Sequence, residues 1–346
     1  MSFTSPFPDV EIPNLSVYDF LFSTIEEADM DRVALVDPKS GDETSYARLI
    51  GQIQAAAGAL AARGIAVGDV VGVLSPNIPA FATVFHGILR AGGTATTINA
   101  LFTAPEIAKQ LTDSKAKMLV TVSPLFEQAA AAAKEVGIAD ENLIVLDGEG
   151  QKATGHPNAI DLLAPNLPAP EVSFDPATHV AVLPYSSGTT GNPKGVALSH
   201  RNLVANVAQI APLQGASPDD VVIAVLPFFH IYGMTVLLNA ALHNRSRLVT
   251  MPRFDLVEFL ENIQNFKVTH AYIAPPVAVA LAKHPIVDNY DLSSLTTMMS
   301  GAAPLDDELG QAVAKRLNLH MLQGYGMSEV SPVSHIIPAD TKAALG

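Results

Sequence analysis

Apolar residues along this chain fall into two rhythms. Short, nearly continuous apolar runs alternate with longer runs in which apolar positions recur every three or four residues. Between residues 32 and 150 the short runs are "RVALVD", "DVVGVLS", "TATTIN", "KMLVTV" and "NLIVLD". The longer ones are "YARLIGQIQAAAGALAARG", "PAFATVFHGILRAG", "APEIAKQLTDS" and "LFEQAAAAAKEVG". The first kind predicts buried strands and the second amphipathic helices. Gly64 and Gly92 close two of those helices, and a proline opens the third. Strands that are apolar on both faces and alternate with helices predict a mostly parallel sheet covered on each side.

The alternation pauses at Pro157, Pro165, Pro168, Pro170 and Pro176, a density that reads as a linker or surface crossing. It then resumes, with "HVAVLPY", "VVIAVLP", "SRLVTMP", "HAYIAP", "TTMMSG" and "HMLQGYG" as strands between helical runs. The predicted organisation is a first α/β subdomain over 1–156, a proline-rich linker over 157–177 and a second α/β subdomain over 178–346. Residues 221–244 carry no charge, and their length alone would suit a membrane span. Pro227, His230, Gly233 and Asn239 interrupt them, so a buried strand, a polar-tipped turn and a buried helix are expected instead.

Composition narrows the function. The chain has 346 residues, 49% of them hydrophobic, and a formal net charge of −14. An acidic surface argues against wrapping nucleic acid, which needs phosphate neutralisation, but leaves room for a small anion held by local positive potential. There is no cysteine, hence no disulfide framework and no thiol nucleophile. The first twenty residues lack a basic stretch followed by an apolar one, so no secretory signal is read there. A cytoplasmic location follows as an expectation, with membrane contact at most peripheral. Arg245, Arg247 and Arg253 read as a solvated basic face, with docking of a phosphate or a membrane surface as the alternative.

One stretch cannot be core. "YSSGTTGNPKGV", residues 185–196, packs glycines, hydroxyls and a lysine between a strand and a helix. Glycines let backbone N–H groups face an anion. Ser186, Ser187, Thr189 and Thr190 add donors, and Lys194 adds charge. Gly188 and Lys194 have the separation of a Walker A loop, but Pro193 and Gly195 replace two of its fixed positions. Phosphate binding outside the P-loop class is the reading.

"YSSGTTGNPKGVALSHRNL" resembles the phosphate-loop signature of the adenylate-forming enzymes, which include acyl-CoA synthetases, adenylation domains and luciferases. "LPFFHIYGM", "MMSGAAPL" and "LQGYGMSEVSP" resemble the family's later motifs, in the same order. The region from Tyr46 to Leu111 resembles the 4-coumarate–CoA ligase and fatty-acyl-CoA ligase branch. The resemblance implies two mostly parallel sheets in a layered αβαβα N-terminal domain. It also implies ATP-dependent activation of a carboxylic acid, forming acyl-AMP and then acyl-CoA with Mg²⁺ and CoA.

The resemblance further implies roles. Thr189, Thr190 and Lys194 would hold the β- and γ-phosphates, and Ser186, Ser187, Gly188 and Gly191 would complete the nucleotide-binding loop. Ser328 would donate to the α-phosphate, and Glu329 would bind Mg²⁺. Tyr325 would stack on adenine, with Ala302, Ala303, Gln323, Gly324 and Gly326 around the base. His230 would sit beside the substrate carboxylate, and Lys194 and His230 are the catalytic candidates. Tyr232, Val236, Met299, Ala302 and Gly324 would line an acyl pocket for an aryl or alkyl tail. Family members continue beyond the position of Gly346, with a ribose-binding aspartate and a small C-terminal lid domain that carries a lysine. Two alternatives stay open: a nucleotide-binding module without turnover, and an adenylation domain that loads a carrier protein. The particular acid and the oligomeric state are not legible.

Overall fold

The computed structural model describes residues 7–147, 155–186 and 193–339. Its strands form an eight-stranded sheet, a six-stranded sheet and a separate two-stranded ribbon. The six-stranded sheet runs β10-β7-β4-β3-β5-β6. Its members are β3 (Val70–Val73), β4 (Thr94–Thr97), β5 (Ala116–Thr121), β6 (Leu143–Val145), β7 (Val180–Val182) and β10 (Leu198–Ser199). The eight-stranded sheet runs β16-β15-β14-β13-β11-β12-β1-β2. It contains β1 (Val33–Asp37), β2 (Asp42–Ser45), β11 (Val221–Ala224), β12 (Arg247–Thr250), β13 (His270–Ile273), β14 (Thr297–Ser300), β15 (His320–Gly326) and β16 (Val333–Ile336). Within the two large sheets pairing is parallel except at β1–β2, β7–β10 and β15–β16.

Side-chain alternation shows the layers. In β11, Val222 and Ala224 face the core between the sheets, while Ile223 faces the other way. The core between the sheets is filled by α1 (Val17–Phe22), α3 (Pro79–Arg90), α7 (His200–Gln214) and the buried run 231–243. Beyond the eight-stranded sheet lie α9 (Leu256–Phe266), α10 (Pro275–Lys283) and α11 (Asp307–Leu317). Beyond the six-stranded sheet lie α4 (Ala104–Ser114) and α5 (Phe126–Val136). α5 holds the alanine run 129–133, whose Ala129, Ala132 and Ala133 are buried against Leu119 and Leu143. This is the expected αβαβα layering.

Sheet membership does not follow the division at 157–177. β1 and β2 precede the first sheet in sequence yet join the eight-stranded sheet, and β7 and β10 follow the proline-rich segment yet join the six-stranded one. Each edge accepts whichever strand completes its core. The proline-rich segment itself is strapped down. An ideal Cβ on Gly58 of α2 (Tyr46–Ala62) would stand 2.3 Å from the Leu167 carbonyl oxygen, so only glycine admits the crossing. Arg90 donates to the Pro170 carbonyl at 2.8 Å.

The uncharged run begins as β11, turns through 227–230 and becomes helical. Gly233–Asn239 winds as a π-helix and Ala240–His243, here α8, as an α-helix. Among the described residues no helix is long and apolar enough to cross a membrane. The short α6 (Ala159–Leu163), capped by Asn158, was not anticipated from periodicity. Pro275 opens α10, where proline's missing N–H costs nothing.

Candidate functional site

In open parallel sheets, ligands bind where loops leave the carboxyl ends of strands. Here both sheets deliver those ends to one cavity of about 510 Å³. The six-stranded sheet contributes Thr97, Asn99 and Phe102 after β4 and Pro184 to Ser186 after β7. The eight-stranded sheet contributes 229–232 after β11, Gly301 and Ala302 after β14, and 324–329 from β15 onward. Asn77, 2% exposed, staples the sheets together. Its amide donates to the carbonyls of Ala224 at 2.9 Å and Leu226 at 2.8 Å, and its oxygen accepts from Phe228 N–H at 2.7 Å. Thr97 Oγ1 adds a bond to the Phe229 carbonyl at 2.7 Å.

The glycine-rich stretch begins and ends in the two-stranded ribbon of β8 (Tyr185–Ser186) and β9 (Lys194–Gly195). Ser186 pairs with Lys194, and Tyr185 with Gly195. Ser186 lines the cavity; Lys194 is exposed beside Pro193, which also lines it. Ser187, Gly188, Thr189, Thr190 and Gly191 lie outside the described residues. Across the cavity, Glu329 sits in a tight turn, Ser328–Val330, and its Oε1 accepts from Ser186 Oγ at 3.4 Å. The ribbon and this turn thus meet. Among the described residues no group of three or more His, Cys, Asp or Glu could hold a metal. A lone carboxylate facing the ribbon fits Mg²⁺, which usually binds through one or two carboxylates plus substrate phosphates.

The wall opposite the ribbon depends on close backbone approach. An ideal Cβ on Gly301 would lie 2.8 Å from the Tyr232 ring, and one on Gly326 would lie 2.1 Å from the Pro332 carbonyl oxygen. Ala302 adopts φ +70°, a left-handed conformation that costs a non-glycine residue energy and that clusters at functional sites. Gly324 lies against Met299 Sδ. Tyr325 is 60% exposed at the mouth, with His335 across the strand pair at 6.1 Å between ring centroids.

His230 opens onto the cavity, yet the protein around it lowers its pKa below that of a free imidazole by desolvation. Its Nδ1 accepts from Tyr232 N–H at 3.2 Å, so the neutral ring carries its proton on Nε2. A neutral donor can orient a carboxylate without neutralising it.

Ser186, His230, Tyr232, Met299, Ala302, Gly324, Tyr325, Gly326, Ser328 and Glu329 line the one cavity. Among the described residues, four expected site residues lie outside that lining: Lys194, exposed on the ribbon beside it, and Val236, Gln323 and Ala303. Val236 is 1% exposed in the core between the sheets, one turn further along the helix than Tyr232, and it does not line the cavity. Tyr232 sits at the start of the helix. Gln323 clamps the backbone of Leu305, accepting from its N–H at 3.3 Å and donating to its carbonyl at 3.4 Å. It shapes the loop after β14 and does not line the cavity. Ala303 is exposed on that loop, outside the lining. Two of the three arginines of the basic cluster are engaged structurally. Arg245 donates to the Leu21 and Leu242 carbonyls, and Arg247 pairs with Glu43 at 3.7 Å.

Sequence reasoning missed the lining contributed by β4, the loop after it and α4. Gln110, 3% exposed, donates to Thr96 Oγ1 and to the Thr97 carbonyl, each at 3.0 Å. The available signal was polarity in the wrong place: three threonines in a buried strand and a glutamine on the apolar face of α4.

Residues 22–346 match the family model described as AMP-binding enzyme. The chain is 36% identical to the probable 4-coumarate–CoA ligase 1 of Dictyostelium discoideum, over 97% of this chain and 64% of that protein. Among solved structures, it resembles a long-chain-fatty-acid–CoA ligase from Archaeoglobus fulgidus with a TM-score of 0.87 at 25% identity, covering 97% of this chain and 69% of that one. It also resembles ATP-bound MatB from Rhodopseudomonas palustris, with a TM-score of 0.82 at 26% identity, covering 95% of this chain and 63% of that one. The chain therefore spans somewhat under two thirds of the curated relative's length.

Proposed function

Because the chain belongs to the family of AMP-binding enzymes, we propose that it carries the nucleotide and acyl sites of an ATP-dependent acid–CoA ligase. The observation that carries this reading is the shared cavity, in which a phosphate-loop ribbon, a lone carboxylate and a neutral histidine converge between the two sheets. In the proposed first step, a carboxylate oxygen attacks the α-phosphorus of ATP. The bond to pyrophosphate breaks, giving acyl-AMP. In the second, the CoA thiolate attacks the acyl carbon and AMP leaves.

Each residue then has a task. Lys194, Ser186 and the glycine-rich residues between them hold the β- and γ-phosphates against the repulsion that opposes attack. Ser328 donates to the α-phosphate. Glu329 would hold Mg²⁺, which supplies charge neutralisation at the phosphates when bound. Tyr325 offers a face to adenine while Ala302, Gly324 and Gly326 let the base approach backbone. His230 Nε2–H orients the acid. Tyr232 and Met299 end the acyl side, which suits an aryl acid; the name of the Dictyostelium relative points the same way. Cytoplasmic residence belongs to the same proposal.

The test is incubation with Mg·ATP and a panel of aryl, short and long fatty acids, with acyl-AMP read by mass spectrometry. Acyl-AMP that disappears in Lys194→Ala supports the reading. Wild-type protein that forms no acyl-AMP and binds neither ATP nor an acyl-adenylate analogue would sink it.

A further inference from the structure

The ribbon β8–β9 pairs with neither large sheet. A two-stranded ribbon is marginal on its own, so its position depends on what ties it to the body. Val196 N–H donates to the Pro184 carbonyl at 2.8 Å and closes its base. Ser186 Oγ reaches Glu329 at 3.4 Å on the side of the eight-stranded sheet. The shortest tie runs the other way. The Tyr185 hydroxyl donates to Asp113 Oδ2 at 2.5 Å, and Asp113 belongs to α4, on the outer layer of the six-stranded sheet.

The geometry makes ribbon and tie one unit. Tyr185 lies over its cross-strand partner Gly195, where an ideal Cβ would stand 3.1 Å from the ring. A side chain there would have to push the ring by a few tenths of an ångström. α4 is itself held firmly, with a capping box between Thr103 and Glu106 at its start. The next rung of the ribbon after Tyr185–Gly195 is Ser186–Lys194. Whatever fixes the Tyr185 ring therefore fixes the rung that faces the phosphates.

We infer that Asp113 is a positioning residue: by holding the Tyr185 hydroxyl it sets the placement of Ser186 and Lys194, and so the affinity for the β- and γ-phosphates but not for the adenosine end. This rests on the nucleotide reading above. The adenosine end belongs to Ala302 and Tyr325 on the eight-stranded sheet, which Asp113 does not touch.

Calorimetric titration of the chain with Mg·ATP and, separately, with AMP tests it. Asp113→Ala and Tyr185→Phe should each weaken Mg·ATP by roughly three- to tenfold, with AMP affinity changed less than about twofold. The double variant should be no weaker than either single one, because both remove the same bond. Asp113→Asn keeps an oxygen acceptor and should stay close to wild type. Unchanged Mg·ATP affinity in both single variants overturns the role of Asp113, and so does an equal loss for ATP and AMP, the mark of general destabilisation. Wild-type protein that binds neither nucleotide removes the nucleotide reading itself, and this inference with it.

Discussion

Lys194 and Tyr325 stand on different elements and serve opposite ends of the proposed nucleotide. Lys194→Ala should weaken Mg·ATP by about tenfold or more, as expected for a charged hydrogen bond, and leave AMP nearly unchanged. Tyr325→Ala should weaken ATP and AMP alike, by roughly five- to a hundredfold if the ring stacks on the base. Calorimetry on both ligands separates the two. His230 has a different signature. Desolvation lowers its pKa, so the ring gains a proton only as pH falls below the ordinary histidine value, and protonation removes the Nδ1 lone pair that accepts from Tyr232 N–H. The acid-dependent rate of acyl-AMP formation should be flat above about pH 6.5 and fall below it. His230→Ala should lower the plateau by about tenfold and abolish that limb of the pH–rate profile. These residues were legible because their chemistry is written in consecutive positions: glycines, hydroxyls and a charge in one run, or a histidine in an uncharged one. Gln110 and Thr97 were not, since their role depends on two elements meeting in space, which no local pattern records.

Elements were legible in proportion to their length. Helices such as α2 announce themselves by period, and strands such as β5 by a continuous apolar run. β2, β10 and β16 are too short or too polar to do so, and each is an edge strand made by pairing rather than by its own pattern. Val236 was misplaced for a related reason: a continuous apolar run hides where strand gives way to helix. Two elements matter most for the site's shape. Asn77→Ala would remove three bonds that join the loop before α3 to the turn after β11. At about 1 kcal/mol each, roughly 3 kcal/mol of stability should be lost, visible as a lower urea midpoint at an unchanged m-value. Gly326→Ala puts a methyl within the contact distance of the Pro332 carbonyl. It should force β15 and β16 apart, weakening adenine binding and lowering stability together, read by AMP titration beside thermal melting.

Across the whole molecule, acid is the condition to watch. His86 is fully buried, its Nδ1 at 2.8 Å from the Ala82 carbonyl and its Nε2 beside Asn239, and desolvation holds its pKa down at about 4. Burial lowers His200 to about 3, with neighbouring His179 adding repulsion. In the unfolded chain both take up protons near pH 6.5. A folded pKa below the unfolded one means that stability is fully present above pH 6.5 and declines as pH falls toward 4. His86 alone accounts for roughly 3 kcal/mol over that interval. Urea midpoints measured at pH 7.5, 6 and 5 should fall in that order.

The exchange of strands between the two sheets also governs how the chain is born. β1 rests beside β12, with Thr250 Oγ1 donating to the Val36 carbonyl across a separation of 214 residues. At ribosomal speeds that separation takes roughly 10 to 40 s to synthesise. Throughout that interval the β1–β2 hairpin has emerged without its neighbour, an unpaired edge in a crowded cell. Its outer strand reads "DETS", and two acidic side chains in four residues are a poor template for another chain to add to. β2 is the outer edge of the finished sheet as well, so its charges guard that edge both before β12 arrives and after.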